Sequence, residues 1–342
     1  MNNENKGANL KFLAIDPFVS TNIVEPTEIA VKDKGFISWG EMNNYPDYIE
    51  DLYDNVPTLQ SIVNGLKDYI CGDGIETTFN ISEELVECIA FDLALYNGFA
   101  LNIIRNKIGE VQNVHYLDFK RVRSSAEGDK FYYSVDWGKS FGRVKYLEYE
   151  NFFQSDKPST ILYVKNRMNK VYPSPMFSAA VLDCEIEKQL NIYNLNSVMN
   201  GFSSNYIVNF NNGIPSDEVQ NQIEEEFYDK FTGTENAGRP MLSFNNGKDN
   251  ETTITSIDSD NFVDKYKSLQ ETTKQNIFTA FRGTPNLFGI PTETTGFSEQ
   301  EYAEAFKLFN RTVVKPLQRK IERTFDKIFK TENSIKIIPF TI

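Results

Sequence analysis

The sequence predicts an α+β fold, and three observations carry that reading. Apolar residues recur at helical spacing between residues 45 and 97, short Ile-, Val-, Tyr- and Phe-rich runs fill 100–164, and long helical patterns return after 174. Helices, then strands, then helices again, without strict alternation, argue for antiparallel pairing and against a parallel α/β sheet.

Residues 1–40 mix short apolar runs with Pro17, Pro26 and Gly35 and read as an arm or irregular strand segment. Ile49, Leu52 and Tyr53, then Leu59, Ile62, Val63, Leu66, Tyr69 and Ile70, mark two helices, the second stopping at Gly72-Asp-Gly74. Ser82 offers an N-cap to a third helix, with Glu83 and Glu84 in its first turn and Asn97-Gly98 at its end. The runs Leu101-Asn-Ile-Ile, Val114-His-Tyr-Leu, Phe131-Tyr-Tyr-Ser-Val, Val144-Lys-Tyr-Leu and Ile161-Leu-Tyr-Val then read as an antiparallel sheet with hairpins.

Ser174-Pro175 reads as the cap and first position of a long helix, with Met176, Ala179, Ala180, Ile186, Leu190, Tyr193 and Val198 as its stripe. Reaching about Phe202, it would be roughly 40 Å long. A strand at 206–210, an acidic helix at 217–231, a turn at 233–238 and a strand at 241–244 follow, a small βαβ module. A second long helix begins near Ser259, with Phe262, Tyr266, Leu269, Thr273, Ile277 and Phe281 on its apolar face. The last helix opens with a capping box, Ser298 and Glu301, and a staple of Phe297 and Tyr302; Pro316 should kink it, and a strand from Ser334 ends the chain.

A net charge of −13, with 40% hydrophobic and 24% charged residues, describes a folded chain and argues against a protein that grips DNA over its whole surface. An acidic surface repels a duplex, which suits a conduit better than a clamp. No apolar run approaches the roughly 20 residues of a membrane helix, and 1–9 lacks the pattern of a secretory leader, so neither secretion nor a membrane span is expected. Cys71, Cys88 and Cys184 lie far apart and read as reduced, buried small residues.

The order of several motifs resembles the portal proteins of tailed bacteriophages. These are Tyr45-Pro-Asp-Tyr-Ile-Glu-Asp-Leu-Tyr with Pro57-Thr and Ile70-Cys-Gly-Asp-Gly; Tyr172-Pro-Ser-Pro-Met-Phe; Phe227-Tyr-Asp-Lys-Phe-Thr-Gly-Thr-Glu-Asn-Ala-Gly-Arg-Pro; and Ile277-Phe-Thr-Ala-Phe-Arg-Gly-Thr-Pro-Asn-Leu-Phe-Gly-Ile. The resemblance spans residues 40 to 330 and implies an arm (1–40), a wing (41–173), a first stem helix (174–204), a clip (205–258), a second stem helix (259–283), a tunnel loop (284–297), and a kinked C-terminal helix with a wing strand (298–342). The long C-terminal crown of many relatives is not expected. The implied function is a non-enzymatic ring of about twelve subunits at one capsid vertex, through which double-stranded DNA is packaged and ejected. It has no cofactor. The implied partners are the terminase large subunit, a head–tail adaptor, and the major capsid and scaffolding proteins, with no membrane. The implied location is the virion, and the host bacterial cytoplasm during assembly. The alternatives are a metal-dependent nuclease or other packaging enzyme, and a head–tail adaptor ring.

The same resemblance assigns Thr284, Pro285, Asn286, Thr292, Glu293, Thr294, Thr295 and Gly296 to the tunnel loop facing DNA, and Glu224, Glu225, Tyr228, Asn236 and Arg239 to clip contacts. From the residues themselves, Lys307, Arg311, Lys315, Arg319, Arg323 and Lys327 recur every four positions. That spacing drifts by about 40° per step, so the row should wind around the helix. It reads as a solvated face, as DNA contact or, preferably, as pairing with acids of a neighbouring subunit. His115, the single histidine, reads as a strand residue with no motif for nucleophilic catalysis around it. Asp258 with Asp260, or Glu224 to Glu226, can in principle hold magnesium but read more simply as capping and surface residues. Neither Walker A nor G-x-G-x-x-G is present.

Overall fold

The computed structural model describes residues 9–10, 23–31, 34–138, 144–166, 170–199, 206–210, 216, 218–219, 222–223, 241–244, 253–256, 262–290 and 299–340. The chain divides into two units, one of residues 23–185 with 274–342 and a smaller one of residues 1–22 with 186–273.

β1 (Asn9–Leu10) belongs to the smaller unit. The larger unit opens with β2 (Glu28–Ala30) paired antiparallel to β3 (Ile37–Trp39). α1 (Tyr45–Asn55) and α2 (Pro57–Cys71) stand where the apolar spacing put them, each with a proline in its first turn, where no intrahelical N–H is required. Their inward residues, among them Ile49, Leu52, Ile62 and Leu66, are fully buried. Gly72 ends α2 at φ +63°, and a Cβ there would lie 2.0 Å from the Ile338 carbonyl oxygen, so the position needs glycine. β4 (Ile75–Thr77) leads to α3 (Glu83–Tyr96), capped as expected: Ser82 Oγ accepts from the Leu85 N–H at 3.2 Å, and Asn97 closes the helix in the left-handed region.

The strand-rich stretch forms β5 (Gly98–Arg105), β6 (Val111–Leu117), β7 (Val122–Ser124), β8 (Lys130–Tyr133), β9 (Leu147–Glu150) and β10 (Ser159–Lys165). Two antiparallel three-stranded sheets result, β10-β5-β6 and β7-β8-β9. A 3₁₀ turn at Phe119–Arg121 buries Phe119 between β6 and β7 and ends the first sheet; an isolated bridge, Asn151 to Ile161, joins the two. The run expected at 144–147 pairs only from Leu147 on, because Val144 is drawn instead into a small cluster with Phe36, Tyr132 and Trp137.

The helix expected from Ser174 starts later. Tyr172 donates its hydroxyl to the Ile37 carbonyl and Ser174 offers its own carbonyl to Asn97 Nδ2. These bonds hold residues 172–175 out of the helix; a turn at 176–177 and a 3₁₀ turn at Ser178–Ala180 follow, after which α4 (Val181–Met199) begins. Its 19 described residues span about 28 Å, and the expected end near Phe202 lies outside the described residues.

In the smaller unit, β11 (Tyr206–Phe210) and β12 (Met241–Phe244) pair in parallel, as a βαβ module requires. β13 (Thr253–Ser256), which the sequence did not reveal, and β1, inside the segment read as an arm or irregular strand, extend them to the order β1-β12-β11-β13. Of the acidic segment expected between β11 and β12, positions 218–219 and 222–223 are described and helical. The turn at 233–238 lies outside the described residues.

α5 (Phe262–Ala280) meets α4 within each unit. In the smaller unit the Tyr266 hydroxyl donates to the Leu190 carbonyl at 3.2 Å, with the Tyr193 and Tyr266 rings 6.2 Å apart. In the larger unit Asn276 Nδ2 donates to Asp183 Oδ1 at 2.8 Å, and Phe177 stacks on Phe281. α6 (Glu299–Phe309) continues through a π segment, Asn310–Val314, into α7 (Lys315–Phe329), and β14 (Ile335–Ile337) pairs antiparallel with β4. Ser298 and Phe297 of the expected cap lie outside the described residues. No described helix is long and apolar enough to cross a membrane.

Candidate functional site

α7 turns Leu317, Ile321, Phe325 and Ile328 inward against the core of the larger unit. Polar side chains fix its rotation. Gln318 Nε2 donates to the Tyr69 and Ile70 carbonyls, which satisfies orphan acceptors at the end of α2. Glu322 accepts from the Ile337 N–H, and Asp326 accepts from the Ser334 N–H and hydroxyl. The helix's acids are thus engaged with the chain around β14. On another side Lys320 Nζ donates to Asn166 Oδ1 and to the Lys165 carbonyl.

Between α7 and β10 lies a cleft of about 670 Å³. Arg319, Lys320, Arg323, Lys327 and Lys165 line it, with Phe153, Leu162, Tyr163, Val164, Pro316 and Thr324. Among the described residues five cations and no carboxylate line this cleft, in a chain of net charge −13. Burial pushes the Lys320 ammonium below the ordinary lysine range; it does the same to Lys165, partly offset by Glu28. Both would gain from an anion placed beside them. A second pocket of about 410 Å³ shares Pro316 and is lined by Asn97, Asn166, Ser174, Ser178 and the left-handed Arg282.

All six residues of the basic row, Lys307, Arg311, Lys315, Arg319, Arg323 and Lys327, are exposed. The π segment contributes to this: its i→i+5 turn takes more residues than an α-turn, so the step from Arg311 to Lys315 runs against the drift of the flanking helices. The cleft gathers only the last three of the six and adds Lys165 and Lys320. Position four-apart counting could not find these two; the Arg319-Lys320 doublet was the available sign.

The first part of the expected tunnel loop is a packed turn. Pro285–Phe288 forms a 3₁₀ helix closed by Gly289 in the left-handed region, and the Tyr69 hydroxyl donates to the Leu287 carbonyl at 2.5 Å. Phe288 sits among Tyr69, Phe278 and Phe309, so close to α2 that a Cβ on Gly65 would stand 2.6 Å from its ring. Thr284 is exposed, and Pro285 and Asn286 are half-buried. Thr292, Glu293, Thr294, Thr295 and Gly296 lie outside the described residues, as do Glu224, Glu225, Tyr228, Asn236, Arg239, Asp258 and Asp260. His115 is exposed on β6 opposite Asn102. Among the described residues no three His, Cys, Asp or Glu side chains converge as a metal site. None of the three cysteines is in a disulfide; Cys184 is buried, while Cys71 and Cys88 are only partly so.

Residues 80–338 match the phage portal protein family, and the chain belongs to that family. It is 30% identical over 186 residues to an uncharacterized protein of Rickettsia bellii, an alignment covering 52% of this chain and 46% of that protein; the chain thus spans about half the length of the curated relatives it matches. Its fold is similar to chains of a gene transfer agent particle. In the virion of the native particle the TM-score is 0.55 at 17% identity, covering 86% of this chain and 83% of that one. In the neck of the native particle, computed with C12 symmetry, it is 0.50 at 16% identity, with the same coverage. It is also similar to an HK97-family phage portal protein from Corynebacterium diphtheriae, with TM-score 0.51, 10% identity, and coverage of 85% and 94%.

Proposed function

We propose that this chain is the repeating subunit of a ring-shaped, non-enzymatic portal, closed around a channel through which double-stranded DNA enters and leaves a particle. The family match over residues 80–338 carries this reading. The fold shared with a neck chain computed with C12 symmetry supports a closed ring of about twelve copies at one vertex of a virion. In this reading residues 41–173 are the wing, 174–204 and 259–283 the two stem helices, 205–258 the clip that meets the terminase large subunit and later a head–tail adaptor, and 284–297 the loop toward DNA. The capsid and scaffolding proteins surround the ring. Assembly takes place in the host bacterial cytoplasm.

Two features fit the assignment physically. The paired helices α4 and α5 lead to and from a small sheet built on a parallel strand pair, the connectivity a stem and clip need. The net charge of −13 keeps a duplex from adhering to the outside of the ring. The decisive experiment is mass photometry of the full chain with negative-stain imaging down the symmetry axis. A ring of about twelve copies with a central hole is expected; a monomer or dimer at every concentration would refute the assignment and favour a packaging enzyme.

A further inference from the structure

We propose that the cleft between β10 and α7 receives the acidic outer face of α1, Asp47, Asp51 and Asp54, from the next copy of this chain. The proposal rests on the ring reading and names the contact that closes it.

The cleft asks for an anionic protein surface. No carboxylate among the described residues pairs with Arg323 or Lys327, and the nearest acids of α7 are taken up around β14. Its wall also carries Leu162, Val164 and Phe153, the last 60% exposed. A phosphate backbone has nothing to offer such a wall, whereas an aromatic side chain among arginines is the composition of a protein interface.

α1 supplies the complement. Its 11 residues include no basic side chain, and Asp47, Asp51 and Asp54 recur at the i, i+4, i+7 spacing of one face. Asp47 and Asp54 are exposed and Asp51 partly so. Asp54 stands in the last turn, where the helix's partial negative charge disfavours an acid, and no cation there compensates. Just before the helix, Met42 is 74% exposed and offers a thioether for Phe153. The two stripes match in length, about 10 Å from Asp47 to Asp54 and about 12 Å from Arg319 to Lys327. Because the basic and acidic patches are different surfaces of the same unit, their pairing is heterologous and propagates head to tail, as a ring requires.

The test is charge reversal in the full chain, read by mass photometry, with circular dichroism melts to certify folding. Arg319→Glu/Arg323→Glu/Lys327→Glu, and separately Asp47→Lys/Asp51→Lys/Asp54→Lys, should each raise the concentration for ring assembly at least about tenfold, and combining both sets should restore rings. Undisturbed rings in either reversed protein overturn the proposal, as does failure of the combined set to restore them. Rings that persist while affinity for a DNA duplex falls assign the cleft to nucleic acid instead. Should the reversed chains unfold, carbodiimide cross-linking of the wild type decides. Amide links from Lys327 to Asp47, Asp51 or Asp54 in the dimer band support the contact; other links between copies without these refute it. A wild type that never forms rings removes the portal reading itself, whereas rings in the charge-reversed protein remove only this contact.

Discussion

At Asp92 a carboxyl group is buried on the inner side of α3, where Oδ1 accepts from the Tyr116 hydroxyl at 3.2 Å and Oδ2 has no hydrogen-bond partner. Burial, with the negative charge of Asp118, pushes its pKa well above the ordinary value of 3.8, so the folded chain holds the proton to higher pH than the unfolded chain does. The sign of the consequence is fixed by linkage. Above about pH 4 the unfolded chain releases a proton that the folded chain retains, so stability falls as pH rises toward the folded-state pKa. Asp92→Asn should therefore raise the melting temperature more at pH 8 than at pH 5; equal shifts at both would mean that the carboxyl is ionised in the fold. Arg123 is the opposite case, a buried cation kept without a touching carboxylate. Its guanidinium donates to Asn43 Oδ1 and to the carbonyls of Asn43, Lys120 and Val122, and lies 5.0 Å from the Trp137 ring centre. A lysine lacks the planar fork, so Arg123→Lys should cost about 2–4 kcal/mol in denaturant unfolding despite keeping the charge.

Among the elements, α2 ends and α3 begins on positions that tolerate little change. Gly72→Ala would combine a left-handed backbone with a clash against the Ile338 carbonyl, displacing the segment that β14 enters. We expect a loss of about 2 kcal/mol, seen as a melting temperature lower by several degrees. Ser82→Ala should cost about 1 kcal/mol by removing the acceptor for the Leu85 N–H, and Ser82→Asp should recover it. Both ends were legible in the sequence because caps and left-handed closures depend on one residue and its immediate neighbours. The start of α4 was not, since Ser174-Pro175 has the form of a helix start. The bonds that keep it out of the helix come from Asn97 and, through Tyr172, from Ile37, and no local pattern announces them. The division of the strands into two sheets was hidden for a similar reason: alternation reports a strand's exposed and buried faces, not its neighbour.

For the whole molecule, the packed turn at Pro285–Phe288 refines the expected tunnel segment. Trimming 291–297 should leave ring assembly intact and reduce DNA packaging or retention, scored by nuclease-protected DNA per particle; normal packaging by that variant would remove the segment from the channel. Cutting into 284–290 should instead unfold the chain, because Phe288 packs on Tyr69, Phe278 and Phe309. The α+β class, the first three helices, the final strand and the order of portal-like motifs could be read from residue order alone, because periodicity, caps and turn residues are local properties. Which strand pairs with which, where α4 begins, and the gathering of Lys165 with Arg319, Lys320, Arg323 and Lys327 into one acid-free cleft were settled only by folding. The cleft joins residues about 155 positions apart and the start of α4 residues up to 135 apart, and the free energy that brings them together comes from burying a shared core rather than from any single stretch of chain.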